Sequence, residues 1–241
     1  RYGFFGEWEG ALNKDWNVVA GGRYVRVNSD ADEVLANGLG MNQGNADTLA
    51  AEFNASDRDR GANLIDLAAV LSRSLNDSTV LQVGLAMKQR APSYQERYLW
   101  LPLESTAGLA DGRVYVGDVD LDKETAYNFD IGLDWRDQRS YLTPRVFYKR
   151  VDDYIQGTPL ESGTAVAFTR TQVNMLTGGL CMSDPGSPRC TPLQFSNVDA
   201  EFYGADAGFG TSFGDNWLLD GTISYVRGKR RDISDNLYRI S

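Results

Sequence analysis

Several groups of side chains in this sequence are of types that do chemistry. Met175, Cys181, Met182 and Cys190 are soft sulfur donors within one polar segment, the kind that holds copper(I). The two cysteines also fit a second reading. In an oxidising compartment Cys181 and Cys190 form a disulfide, and Asp184-Pro185-Gly186-Ser187-Pro188 between them supplies the turn residues such a loop needs. A bridge would leave only the methionine pair, too few for a metal site. Tyr94, Arg97, Tyr98, Trp100 and Glu104 form an aromatic and charged set that suits the rings and anionic groups of a chelate. The alternative is that they anchor a long loop to whatever carries it. The run Arg227-Gly228-Lys229-Arg230-Arg231 has the charge to hold phosphate groups. Its alternative is a solvated strand end paired with Asp232 and Asp235. Asp152 and Asp153 are adjacent acids, but neighbours on a strand point to opposite faces and cannot share a substrate.

Composition removes other chemistries. The chain of 241 residues has no histidine, so triads with a histidine base and histidine-ligated zinc sites are absent. Its formal net charge of -9 argues against nucleic acid as a partner, because phosphate-backbone binding needs a basic surface. No run approaches the roughly 18 apolar residues of a membrane helix. Strands that cross a membrane leave a much weaker signal and are not excluded. The sequence opens without a signal-peptide pattern and ends without a stop signal, which reads as an excerpt of a longer protein.

The elements that must position these residues alternate with period two, the mark of half-buried strands. Tyr2, Phe4, Trp8 and Leu12 share a face against Glu7 and Glu9. Trp16, Val18, Ala20 and Tyr24 continue it after Asn13-Lys14-Asp15. Ile65, Leu67, Ala69 and Leu71 pair across Asn76-Asp77-Ser78 with Leu81, Val83, Leu85 and Met87. Tyr127, Phe129, Ile131, Leu133 and Trp135 pair across 136–139 with a strand carrying Val146 and Tyr148, in which Pro144 should mark a start or bulge. Ala205, Ala207, Phe209 and Phe213 pair across Gly214-Asp215-Asn216 with Trp217, Leu219, Ile223 and Tyr225.

About eight strands therefore form about four hairpins with short polar turns at one end. Three long connections lie at the other, near 28–60, 91–123 and 157–197. Trp16, Trp135 and Trp217 stand by the turns, and Tyr24, Tyr127 and Tyr225 toward the loops, as two interfacial girdles would require. This asymmetry predicts an all-β, antiparallel transmembrane barrel wall with short periplasmic turns and long extracellular loops. The competing architecture is a soluble β-sandwich that buries the same aromatics.

Four stretches then resemble a known family. Arg90-Ala91-Pro92-Ser93-Tyr94-Gln95-Glu96 resembles the segment in which a strand of a TonB-dependent receptor runs into an extracellular loop. Gly117-Asp118-Val119-Asp120-Leu121-Asp122-Lys123-Glu124, with Val119 and Lys123 where proline is usual, resembles the segment that leads back into the barrel. Val146-Phe147-Tyr148 through Asp153-Tyr154-Ile155 and Asn197-Val198 through Gly204-Ala205-Asp206 resemble the following strands. The stretch 95–104 is similar to the copper-receptor branch.

The resemblance implies that 1–241 is part of a barrel of about 22 strands. Its plug domain and last strands would lie outside this sequence. It also implies import of a scarce nutrient, most simply copper or an iron–siderophore chelate, with no covalent chemistry and no cofactor. The partners implied are the TonB complex through the plug, outer-membrane lipid and lipopolysaccharide, and the nutrient itself, in the cell outer membrane. A barrel adhesin or enzyme, or a soluble sandwich binding module, are the other function classes.

Overall fold

The computed structural model describes residues 1–37, 43–101, 113–159, 192–214, 216–233 and 236–237. Eight long strands follow one another as antiparallel neighbours: β1 (Tyr2–Ala11), β2 (Trp16–Ser29), β3 (Arg60–Asn76), β4 (Thr79–Arg90), β6 (Glu124–Arg136), β7 (Ser140–Pro159), β8 (Leu193–Phe213) and β9 (Trp217–Arg230). The short β5 (Tyr115–Val116) adds in parallel to the far end of β8. Two helices lie in the long connections: α1 (Gln43–Ala55) between β2 and β3, and α2 (Tyr94–Tyr98) after β4. None of the described helices is long and apolar enough to cross a membrane, which leaves crossing by strands open.

The four short turns fall where the sequence places them, and three are closed by an acid or amide side chain. Asn13 Oδ1 accepts from the amides of Asp15 and Trp16 at 3.0 and 3.1 Å. Asn76 Oδ1 accepts from the Ser78 amide at 2.9 Å, and Asp137 Oδ1 from those of Arg139 and Ser140 at 2.7 Å. These side chains mimic a backbone turn and fix the hairpin register. In the fourth turn Gly214 takes φ +60°, a conformation open to glycine without strain.

Register shows which residues share a face. One continuous row runs Trp8–Ala20–Ala69–Leu85–Phe129–Tyr148–Tyr203–Arg227. Trp8 lies near the turn end of β1, whereas Arg227 lies ten residues beyond Trp217. The row therefore climbs the sheet, and that stagger accompanies the strand tilt of a closed barrel. Leu85, Ile223 and Trp217 on this face are 57, 68 and 76% exposed. So much contiguous apolar surface in water would be an association hazard. Lipid removes the problem. In a sandwich these residues would be pressed against a second sheet, and the described residues contain one sheet only.

The strands also outrun the membrane. A tilted strand crosses in about 9–11 residues, whereas β7 has 20 and β8 has 21. Their extra length, together with the long connections, forms a small core above the wall. Tyr115, Leu121, Ile155, Leu193 and Phe195 make one cluster. Ala36, Ala46 and Ala50 make another, with Trp100 against them.

Pro144 departs from expectation. It sits within β7, with the ladder to β8 continuous through Thr143, Pro144 and Arg145. On the β6 side the pairing lapses between Arg145 and Leu142 and then resumes in the same register. A proline has no N–H to donate, so a local lapse without a slip is the cost. The irregularity of β7 lies instead between Val151 and Tyr154, where Asp153 has φ 58°.

Candidate functional site at the outer mouth

At the loop end of the sheet the inward-facing alternates become charged. Arg23 on β2 stands across from Asp66 on β3 and donates to it through Nε at 2.7 Å. Lys88 and Arg90 on β4 and Lys149 on β7 share this face. With Arg1, Asp66 and Glu124 they line a cleft of about 540 Å³. Five cations face two carboxylates there; Asp66 is paired with Arg23 and Glu124 with Arg90, which leaves the charges of Arg1, Lys88 and Lys149 in excess. Such a cleft attracts anions. No group of three or more acidic, histidine or cysteine side chains that could hold a metal occurs among the described residues.

The rim of the cleft is a polar clamp. Arg90 Nε and Nη2 donate to Glu124 at 2.7 and 2.8 Å. The other side of the same guanidinium donates to Glu96 at 2.7 and 3.1 Å. Ser93 caps α2 and exchanges a capping box with Glu96, whose Oε2 accepts from the Ser93 amide at 2.7 Å. Glu124 also accepts from the Ile155 amide at 2.8 Å. One arginine thus ties β4, α2, β6 and β7 together. Burial would raise the Glu96 carboxyl, but the hydrogen bond from Arg90, that from the Ser93 amide and the Arg90 charge together hold it below the ordinary glutamate range. Burial pushes the Asp118 carboxyl the other way, upward, against the hydrogen bond that it accepts from the Asp120 amide.

A second clip lies on the far side. The Asn197 side chain donates to the carbonyl oxygens of Asp122 and Asp153 at 3.2 and 2.7 Å and accepts from the Asp122 amide at 2.9 Å. It stitches the incoming loop to the β7 bulge. Gly117 is required by close approach: a Cβ there would lie 2.8 Å from the Arg97 carbonyl oxygen and the Leu99 nitrogen. Its own amide donates to the Leu99 carbonyl at 2.7 Å.

The five candidate ligand residues separate. Arg97 is buried and donates to Ser29 Oγ at 3.2 Å and to the Leu121 carbonyl at 2.8 Å. The Tyr98 hydroxyl, also buried, lies 2.9 Å from the carbonyl oxygens of both Ser29 and Arg58 and shares its proton between them. Trp100 packs on Phe53 of α1 at a centroid distance of 6.4 Å. These three hold the first two long connections together. Tyr94 is the exposed member, its ring 5.3 Å from that of Tyr98. Glu104, Met175, Cys181, Met182 and Cys190 lie outside the described residues. Asp152 is engaged by Arg150 and Arg231, and Arg230 by Asp232.

The cationic cleft emerges only in the fold. Arg23, Lys88 and Lys149 were legible as loop-end members of the polar alternates. Their convergence was not, because it depends on the stagger between strands that are distant in sequence.

The clamp residues Arg90, Ser93, Glu96, Glu124, Asp153 and Asn197 are those of the four resembling stretches, and a family model described as "TonB dependent receptor-like, beta-barrel" matches residues 1–240. The chain belongs to the TonB-dependent receptor β-barrel family. Among solved structures it is similar to "Copper transporter OprC", with 19% identity, a TM-score of 0.68, and coverage of 99% of this chain and 31% of that one. It is similar also to the alcaligin outer membrane receptor FauA from Bordetella pertussis (12%, TM-score 0.55, 98% and 31%). A third is the pyoverdine outer membrane receptor FpvA from Pseudomonas aeruginosa PAO1 (14%, TM-score 0.54, 98% and 26%). Comparison with curated proteins gave no match. The chain spans about a third or less of the length of these structures, and at such identities the likeness is one of fold. TonB-dependent receptor barrels are outer-membrane proteins, and the apolar outer wall of this chain fits that place.

Proposed function

We propose that this chain forms part of the wall and outer mouth of a receptor that imports a scarce metal, with plug movement driven by the TonB complex. The observation that carries the reading is the mouth itself: the described loop segments held by Arg90 and Asn197 adjoin a cleft lined by Arg1, Arg23, Lys88, Arg90 and Lys149. Cations facing inward below a structured rim favour a metal that arrives as an anionic complex over a bare cation. The names of the similar structures support the metal class, copper in one case and siderophores in the others. Tyr94 offers an exposed ring beside the cleft for a chelate to stack on.

The test is uptake. In a strain lacking the gene, radiolabelled copper and iron are supplied free and as anionic chelates. Restoring the gene raises uptake of one chelated metal, and removing TonB abolishes the gain. Unchanged uptake of every form, with the protein present in the outer membrane, rejects the proposal.

A further inference from the structure

The wall itself divides between β3 and β4. Their ladder runs from Val80 opposite Ser74 up to Met87 opposite Leu67 and ends there. Above it Arg60–Asp66 of β3 and Lys88–Arg90 of β4 do not pair with each other, although both strands continue. The flanks do not share this break. β2 and β3 pair up to Ser29 and Arg60, and β4 and β6 up to Arg90 and Glu124. The sheet is therefore forked at one seam, with β3 held to one arm and β4 to the other. Leu67 lies nine residues above Asn76. At about 3.3 Å per residue and a tilt of about 40°, the fork starts about 23 Å above the turn, near the top of a barrel's apolar belt. Backbone groups released from a ladder are tolerated at that height and not within hydrocarbon.

Side chains occupy the fork. Continuing the register would set Ile65 opposite Gln89. Instead the Ile65 amide donates to Gln89 Oε1 at 2.9 Å, and the Gln89 amide to Asp66 Oδ1 at 2.8 Å. Gln89 Nε2 donates to Thr125 Oγ1 at 3.2 Å. Lys123 reaches across from the chain entering β6. Its Nζ donates to Gln89 Oε1 at 3.0 Å and to the Asn63 carbonyl at 2.9 Å. One ammonium thus joins the backbone of β3 to a side chain of β4. A ladder fixes neighbouring strands about 4.8 Å apart. An interposed side chain spaces them by its own length and turns on its own torsions. The seam also crosses the cleft. Leu64 and Asp66 line it from one arm, and Lys88, Gln89 and Arg90 from the other.

We propose that the β3–β4 fork is a hinge in the barrel wall and that Lys123 is its bolt. Below Leu67 and Met87 backbone pairing fixes the wall. Above them the arm carrying Arg23 and Asp66 moves against the arm carrying Lys88 and Arg90, and Lys123 sets the width of the cleft between them. Lys123 is a positioning residue: it acts on the cleft through β3 and Gln89 and does not line it. The hinge follows from strand pairing alone, whereas its effect on uptake rests on the import reading.

The experiment uses the full-length receptor in detergent, folded by the criterion of heat-modifiable migration. Hydrogen exchange, resolved to single residues, compares the amides of Ile65 and Gln89 with those of 68–73 and 81–86 in the ladder. In wild type the fork amides should exchange faster than the ladder amides. Lys123→Met keeps the stem without its donors and should speed the fork amides on the order of tenfold, with the ladder unchanged. Lys123→Arg keeps donors and should restore most of the protection. Gln89→Leu removes the shared acceptor, should free the Ile65 amide in the same way, and carries the test if Lys123→Met does not fold. Equal exchange of fork and ladder amides in wild type overturns the hinge. Unchanged fork exchange in the variants, equal exchange in Lys123→Met and Lys123→Arg, or a rise along the whole wall overturns the bolt. In cells, Lys123→Met should raise the half-saturating concentration of iron(III) citrate or copper(II) citrate uptake without changing the maximal rate. Absence of uptake in wild type counts against the import reading alone, because the exchange data decide the hinge.

Discussion

Single residues at the mouth explain why short stretches of this sequence resemble a family whose overall identity to it is low. Arg90, Ser93, Glu96 and Glu124 make one hydrogen-bonded clamp, and Asn197 makes a separate clip to the backbone of Asp122 and Asp153; each is polar because removing it leaves a partner stranded. Glu124→Ala should loosen the clamp by about 2 kcal/mol, since it strands Arg90 and the Ile155 amide. Hydrogen exchange at Ile155 and Ser93 would show the loss, and unchanged protection would contradict it. Gly117→Ala forces a Cβ against backbone and should cost about 1–3 kcal/mol in the same loop, read as earlier proteolysis between α2 and β5. Acid acts through Glu96. Its carboxyl is held below the ordinary range in the folded loop, so its stabilisation is present above the unfolded value and is lost as pH falls through the folded one. Protection of residues 93–99 should hold at neutral pH and fall in acid below the ordinary glutamate range, and Glu96→Gln should flatten that response. The candidate ligands were less legible at this scale. Arg97, Tyr98 and Trp100 have types that suit a chelate or an anchor equally, and only contacts with Ser29 and Phe53, remote in sequence, decide what their atoms touch.

At the scale of elements, the hairpins were legible because side-chain alternation and turn chemistry are local. Asn13, Asn76 and Asp137 each close the turn where their position places it. Three features were not legible. Residues 43–55 form a helix whose buried Ala46, Leu49, Ala50 and Phe53 stand at helical spacing, but two of the four are alanines and the stripe is short and weakly apolar, and Trp100 completes its packing from another loop. The third connection is shorter than the sequence suggested, because β7 and β8 continue pairing to Pro159 and Leu193 above the wall. Pro144 is accommodated by a lapse on one side only, which no local rule specifies. The two faces of a strand should also respond oppositely to the same change. Ile131→Arg places charge on lipid and should cost about 2–4 kcal/mol near mid-membrane, whereas Asn128→Arg, on the inward face, should cost about 0–1 kcal/mol. Urea unfolding of the full barrel in lipid vesicles would compare them.

For the whole molecule, the account depends on one division of space. The climbing row from Trp8 to Arg227 gives the sheet its tilt, puts its apolar side chains outward and sets the height at which charge begins. The opposite alternates line a charged cleft under the loops. Import and the girdles both follow from that assignment of inside and outside. The most direct test is spin labelling at single cysteines placed along β6 at residues 127–134 in the full-length receptor, with Cys181 and Cys190 replaced. In lipid, Tyr127, Phe129, Ile131 and Leu133 positions should show high accessibility to oxygen and low accessibility to a water-soluble nickel complex. Asn128, Asp130, Gly132 and Asp134 positions should lack that lipid signature. An absence of alternation, or an alternation of the opposite phase, would contradict the account.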